Sequence, residues 1–455
     1  MDFRLSQMRQ FFESGATRPA SFRKEQLRKL QQAVVRHEKE IQAALYADLK
    51  KSREETYATE IALLLSEIRL QLRHMLRWMR PRRAGTNLAN LPSSSHIIRE
   101  PLGVVLIISP WNYPFQLSLI PLVGALAAGN AVVLKPSELS PATTALLGRL
   151  IREIYPPEYV QVILGEGARI VPALMEGFRF DHVFYTGSVA VGRSVYQLAA
   201  RQLIPVTLEL GGKNPAVIEA DANLRVTARR IALGKFVNAG QSCVAPDYVL
   251  ADHRIQESFV EEMRQALLEF FGPDPAASAS YCRIINQRRF EKLFSYLSMG
   301  RIRVGGQHDS HGLYMAPTLL DEVSLDSPLM QEEIFGPILP VLGFRTRQEA
   351  LSIIGSRPQP LSFYIYGANS RSQEEWLRSV SFGNGCVNNS NWQFTNPDLP
   401  FGGVGTSGIG AYHGKYSFDR FTHSKAVMKT PFWPDPDLRY PPFQGKLKWF
   451  RSLIR

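Results

Sequence analysis

Apolar residues early in the chain recur at helical spacing. Leu27, Leu30, Val34, Ile41 and Leu45 fall on one stripe with Lys and Arg between them, which predicts amphipathic helix. Ser52-Arg53-Glu54-Glu55 predicts a capping box, in which the Ser oxygen accepts a free amide and Glu55 reaches back. Behind it Ile61, Leu64, Ile68, Leu72, Leu76 and Met79 form a second stripe that Pro81 ends. From residue 101 the pattern changes to short apolar runs at 104–108, 131–134, 160–164, 183–185 and 206–210, separated by helix-like segments. Such alternation predicts βαβ units and a parallel sheet, whose ligands bind at the carboxyl ends of the strands. A second series of the same kind runs from about 214 to 385.

Residues 102–134 carry no charge and no His. A membrane span needs about 20 continuous apolar residues. Ser109-Pro110-Trp111-Asn112-Tyr113-Pro114 and Gly129-Asn130 interrupt this run, so it is expected to be buried strand, loop, helix and strand. Boundaries are expected in 81–95, at Gly211-Gly212-Lys213 and after Ser390.

The 455 residues suggest two or three domains at roughly 150 residues each. Hydrophobic residues at 45% and charged residues at 21% exclude wholesale disorder. Lys+Arg 53 minus Asp+Glu 41 gives +12, but no nucleic-acid motif accompanies the charge, and no nucleic-acid partner is expected. The three cysteines, Cys243, Cys282 and Cys386, form neither a disulfide framework nor a CxxC zinc pair, which suggests a reducing compartment. The N-terminus lacks the pattern of a secretory signal, so a cytoplasmic location is expected, and no metal site is expected.

Candidate chemistry lies at the ends of the apolar runs. Gly403-Val404-Gly405-Thr406-Ser407-Gly408 fits G-x-G-x-x-G but follows no apolar strand, and it reads as a Gly-rich loop. Thr186-Gly187-Ser188 ends a strand and opens a helix, where amides could receive a pyrophosphate; an ordinary βα turn has the same form. Lys135-Pro136-Ser137-Glu138 could hold ribose hydroxyls, or Ser137 could simply cap a helix. Cys243 sits in Asn238-Ala239-Gly240-Gln241-Ser242-Cys243, where the backbone can expose a thiol; Cys282 and Cys386 read as structural. Glu209 closes an apolar strand, which would raise its pKa and suit a general base, unless it pairs with Lys213. Tyr412 and His413 lie in a Gly-rich segment and receive no role.

Taken together, Trp111-Asn112-Tyr113-Pro114, Lys135-Pro136-Ser137-Glu138, Phe184-Tyr185-Thr186-Gly187-Ser188, Glu209-Leu210-Gly211-Gly212-Lys213, Gly240-Gln241-Ser242-Cys243, Glu333-Ile334-Phe335-Gly336-Pro337 and Pro400-Phe401-Gly402-Gly403 resemble the aldehyde dehydrogenase superfamily in order and spacing. Cys243-Val244-Ala245-Pro246-Asp247-Tyr248 and the segment 407–415 resemble its class 3 branch for fatty and aromatic aldehydes. The resemblance implies an α/β fold: a Rossmann-like parallel-sheet NAD(P)-binding domain, a second α/β catalytic domain and a small oligomerisation element. It suggests a helical part of the cofactor domain at 1–82, an oligomerisation arm at 83–100, the Rossmann-like domain at 101–208, the catalytic domain at 209–390 and a returning oligomerisation segment at 391–455.

The implied reaction is NAD(P)-dependent oxidation of an aldehyde, medium- or long-chain aliphatic or aromatic, to the carboxylic acid. Cys243 would be the nucleophile, Asn112 an oxyanion donor and Glu209 the base for thioester hydrolysis. Cofactor contacts are implied at Lys135 and Glu138 (adenosine ribose), Gly187 and Ser188 (pyrophosphate), and Glu333 and Phe335 (nicotinamide). Glu138 favours NAD by repelling a 2′-phosphate, with NADP left open because class 3 relatives often use both. Tyr113 and Phe401 are expected to wall the substrate pocket. A homodimer is implied. The basic tail 445–455 lacks the length of a membrane anchor; Leu447, Phe450 and Ile454 opposed to Lys446 and Arg451 would suit a subunit interface or peripheral membrane contact. Two alternatives remain: a CoA-acylating dehydrogenase, against which a Glu at 209 argues, and a non-catalytic protein retaining the fold.

Overall fold

The computed structural model describes residues 4–453. The first stripe belongs to two helices, Ala20–Arg36 and Glu38–Leu49, and all five of its apolar residues are fully buried. The second stripe lies on a short helix Arg53–Thr56, a π-helical turn Tyr57–Ile61 and the helix Ala62–Met79. Leu76 departs from the expected stripe and is exposed. The capping box is half made. Ser52 Oγ accepts from the Glu55 amide at 3.1 Å, but Glu55 does not reach back. Its carboxylate is drawn inward instead, where it accepts from the Asn238 amide at 2.9 Å and the Cys282 thiol at 3.4 Å.

Two sheets organise the rest. In the first, the strand order is Gly408–Ile409, Val206–Glu209, His182–Thr186, Val104–Ile108, Ala131–Lys135, Val160–Val162. All pairs are parallel except the first, where Gly408 lies opposite Glu209. The order reverses at Val104–Ile108, so a crevice opens at the carboxyl ends of that strand and of His182–Thr186, where α/β sheets bind nucleotides. The uncharged run 102–134 forms two of these strands and the wholly buried helix Gln116–Ala128. Among the described residues no helix is long and apolar enough to cross a membrane. The G-x-G-x-x-G match forms a 3-10 turn at Gly405–Ser407 and the edge strand Gly408–Ile409, and does not itself open a helix.

The second sheet runs Arg301–Val304, Thr318–Asp321, Ile338–Phe344, Tyr248–Asp252, Pro215–Ile218, Ser362–Tyr366, Asn384–Val387, parallel but for its first pair. Each sheet has its own buried apolar cluster: one joins the N-terminal helices to the first sheet and to Phe401, Tyr412, Phe418 and Phe421, and the other spans Ala216 to Val380. A separate three-stranded ribbon, Arg82–Ala84, Ser94–Pro101 and Thr422–Lys429, stands apart from both. The tail forms the helix Leu447–Leu453; Ile454 of the expected amphipathic face lies outside the described residues.

Candidate active site

The Cys243 loop is shaped by its backbone. Asn238, Ala239 and Gly240 are all left-handed, at φ 54°, 52° and 74°. A Cβ at Gly240 would overlap the Gly336 carbonyl, so both the torsion and the space require glycine. Side-chain amides then pin the loop. Asn238 Nδ2 donates to the Asn112 carbonyl at 2.8 Å, and Asn112 Nδ2 donates to the Gln241 carbonyl at 3.0 Å. Gln241 Nε2 donates to the Asn238 and Arg283 carbonyls, each at 3.0 Å. Asn214 Nδ2 donates to the carbonyls of Cys243 at 2.7 Å and Ala245 at 3.0 Å. Asn112 and Cys243 are thus fixed against one another through a shared network, and the second Asn112 Nδ2 proton remains for a ligand. The loop bearing Asn112 and Tyr113 is anchored from behind. Glu60, paired with Lys51 at 2.6 Å, accepts the Phe115 and Gln116 amides, and Lys51 Nζ lies 4.2 Å from the Tyr113 ring centroid.

Cys243 and Glu209 face one cavity of about 720 Å³. Tyr113 and Phe401 line it, with Leu63, Leu117, Phe271, Trp392 and Phe394 among its other apolar walls. Glu209 is buried, and neither carboxylate oxygen has a hydrogen-bond partner among the described residues. Burial pushes its pKa well above the carboxylate range, with Arg420 offsetting only part. The alternative of a pair with Lys213 does not hold, because Lys213 Nζ bonds Asp247 at 2.5 Å and the Leu329 carbonyl at 2.6 Å. The Cys243 thiol is pushed up to about 12, first by burial, then by the Glu333 and Glu209 charges; the Cys243 and Val244 amides act the other way. Glu333 is raised to about 8 by burial and the Asp247 charge.

Of the residues expected at a cofactor, Lys135, Glu138, Gly187 and Ser188 lie at the carboxyl ends of strands of the first sheet. Lys135 Nζ, almost fully buried, reaches Glu138 at 3.1 Å, and Glu138 also accepts the Gly167 amide at 3.0 Å. Ser137 caps no helix; the next one, Pro141–Ile154, begins after Ser140, leaving 136–139 as an open loop. Ser188 caps the helix Val189–Ala200, its Oγ accepting the Val191 amide at 3.4 Å. The Gly187 amide is already spent on the Glu209 carbonyl at 3.0 Å, so this glycine ties two strand ends together and is not a free phosphate donor. Phe335 stacks edge-on to Trp111 at 5.4 Å and lies under the Arg289 guanidinium. Two buried oxygens in this region, Thr186 Oγ1 and Glu333 Oε1, lack partners among the described residues, as a site for a polar dinucleotide requires.

A model of the aldehyde dehydrogenase family matches residues 2–427. The chain belongs to the aldehyde dehydrogenase family. A 4,4'-diaponeurosporen-aldehyde dehydrogenase of Staphylococcus aureus is 43% identical, over 98% of this chain and 97% of its own length. Aldehyde dehydrogenase family 3 member H1 of Arabidopsis thaliana is 44% identical, over 99% and 94%. The substrate-bound structure of AldH from Staphylococcus aureus superposes with a TM-score of 0.97 at 43% identity, covering 99% of both chains. The protein is therefore an NAD(P)-dependent aldehyde dehydrogenase of the class 3-like branch.

Sequence reasoning missed two residues of this dehydrogenase's cavity. Tyr412 and His413 both line it, brought there by the bridge that pairs Tyr412 with Phe401. His413 stacks on Phe401 at 5.2 Å, its Nδ1 bonds the Phe394 carbonyl at 3.1 Å, and burial lowers its pKa to about 4, so the ring is neutral near pH 7. An imidazole and a phenol in a Gly-rich segment were the only signal available.

Proposed function

We propose that this dehydrogenase oxidises medium- or long-chain aliphatic or aromatic aldehydes through a covalent Cys243 intermediate. The observation that carries the reading is the large apolar cavity onto which Cys243 and Glu209 both open, with Asn112 tied to the Cys243 loop. The Cys243 thiol gives its proton to water and Sγ attacks the aldehyde carbon, giving the oxyanion of a thiohemiacetal. Asn112 Nδ2 and the Cys243 amide stabilise the oxyanion, each such donor contributing about 3 kcal/mol. Lys135 and Glu138 would hold the adenosine ribose, Ser188 the pyrophosphate, and Glu333 and Phe335 the nicotinamide of a dinucleotide that would supply the hydride acceptor. Glu209 takes the proton of the water that cleaves the resulting Cys243 thioester. Burial without a partner favours this role, because it makes the carboxylate a stronger proton acceptor than one in water.

Glu138 favours NAD, since a carboxylate at the ribose opposes a 2′-phosphate. A homodimer is supported by the long exposed edge strand Thr422–Lys429, which offers unpaired backbone groups to a partner. Cys243→Ala should form no NAD(P)H from aldehydes while keeping its circular dichroism; full activity would overturn the assignment. Turnover that depends on coenzyme A would favour the acylating alternative.

A further inference from the structure

Tyr412 is buried and lines the catalytic cavity. The ring is held firmly. It packs edge-on to Phe184 at 5.0 Å and Phe401 at 5.7 Å, and its backbone exchanges two hydrogen bonds with Phe401, at 3.1 and 2.8 Å. Glu209 lines the same cavity, and its two oxygens have no hydrogen-bond partner among the described residues, so it does not bond Tyr412. After burial, the charges that oppose Tyr412 ionisation are those of Glu209, Cys243 and Glu67, so the hydroxyl lies within electrostatic reach of both catalytic groups without touching either. The edge strand that follows the Gly-rich loop places Gly408 against Glu209 and leads directly into Tyr412.

A donor and an acceptor that face one cavity and do not bond to each other leave room for a bridging water. We infer that Tyr412 Oη is a water-positioning group: it donates to the hydrolytic water while Glu209 accepts that water's proton. The water oxygen then attacks the acyl carbon on Cys243, the carbon–sulfur bond breaks, and the departing sulfur recovers a proton from Glu209. No redox change occurs in this step. The inference rests on the proposed role of Glu209 as base.

The test is Tyr412→Phe, which keeps the ring and its packing. Rapid mixing with saturating aldehyde and NAD separates the first turnover from the steady state. The expected result is an NADH burst at the wild-type rate, followed by steady turnover about 10- to 100-fold slower. Hydroxylamine, a nucleophile that needs no placing by the tyrosine, should restore turnover. The burst amplitude counts competent sites, so a misfolded fraction does not affect the outcome. Unchanged turnover overturns the inference, and so does an equal loss of burst and steady-state rates, which would reveal a packing role. Glu209→Gln run alongside separates the two readings. Slow deacylation there with normal deacylation in Tyr412→Phe removes only the tyrosine; normal deacylation in Glu209→Gln removes the base itself.

Discussion

The carboxylate of Glu333 packs directly on the α-carbon of Gly211, leaving no room there for a Cβ. The two glycines after Glu209 thus serve a contact between sheets: Gly211 admits Glu333, and Gly212 passes against the Leu361 amide. Gly211→Ala should push Glu333 aside without touching Cys243 or Glu209. The expected outcome is a KM for NAD raised about tenfold, with kcat reduced less. An unchanged KM would show that Glu333 takes no part in holding the cofactor.

Glu333 also predicts a pH effect on stability. Its carboxyl keeps a proton up to about 8 in the folded protein, whereas the unfolded chain releases it near the ordinary 4.5. Between these values the unfolded state binds fewer protons, so this group lowers stability as pH rises. Glu333→Gln removes the penalty. The difference in Tm, variant minus wild type, should grow from about pH 5 to about pH 8 and then level off. A difference independent of pH would mean that the carboxylate is ionised in the fold.

The free protein should hold a sluggish thiol. With its pKa near 12, Cys243 is overwhelmingly protonated at neutral pH. Alkylation by iodoacetamide, followed by mass spectrometry at Cys243, should accelerate about tenfold per pH unit from roughly pH 7 to pH 10. A plateau below about pH 8 would contradict this.

Substrate length should matter. Burying a methylene contributes about 0.8 kcal/mol, or up to about fourfold in kcat/KM. Along a series of linear aldehydes, kcat/KM should climb with each added carbon until the cavity of about 720 Å³ is filled. A flat series would show that the apolar walls do not contact substrate.

The fold was legible where burial imposes one period. Runs such as 104–108 are apolar throughout because both sheet faces are covered, and the strand Val104–Ile108 is buried at every position. Glu209 stood out as an acid closing an apolar strand, and Cys243 as a thiol in a polar, glycine-bearing loop. Glu55 was misread because its capping pattern is local, while its carboxylate answers to Asn238 and Cys282, both far along the chain. Tyr412 and His413 were invisible for the same reason: nothing near them in sequence signals that Phe401 will draw them to the cavity.

The strand that lies against Glu209 comes from residues 408–409, long after the cysteine loop. During synthesis, Cys243 therefore leaves the ribosome well before the cavity it faces can close. Until the late segment has docked, the nascent chain carries this sulfur outside any enclosed cavity.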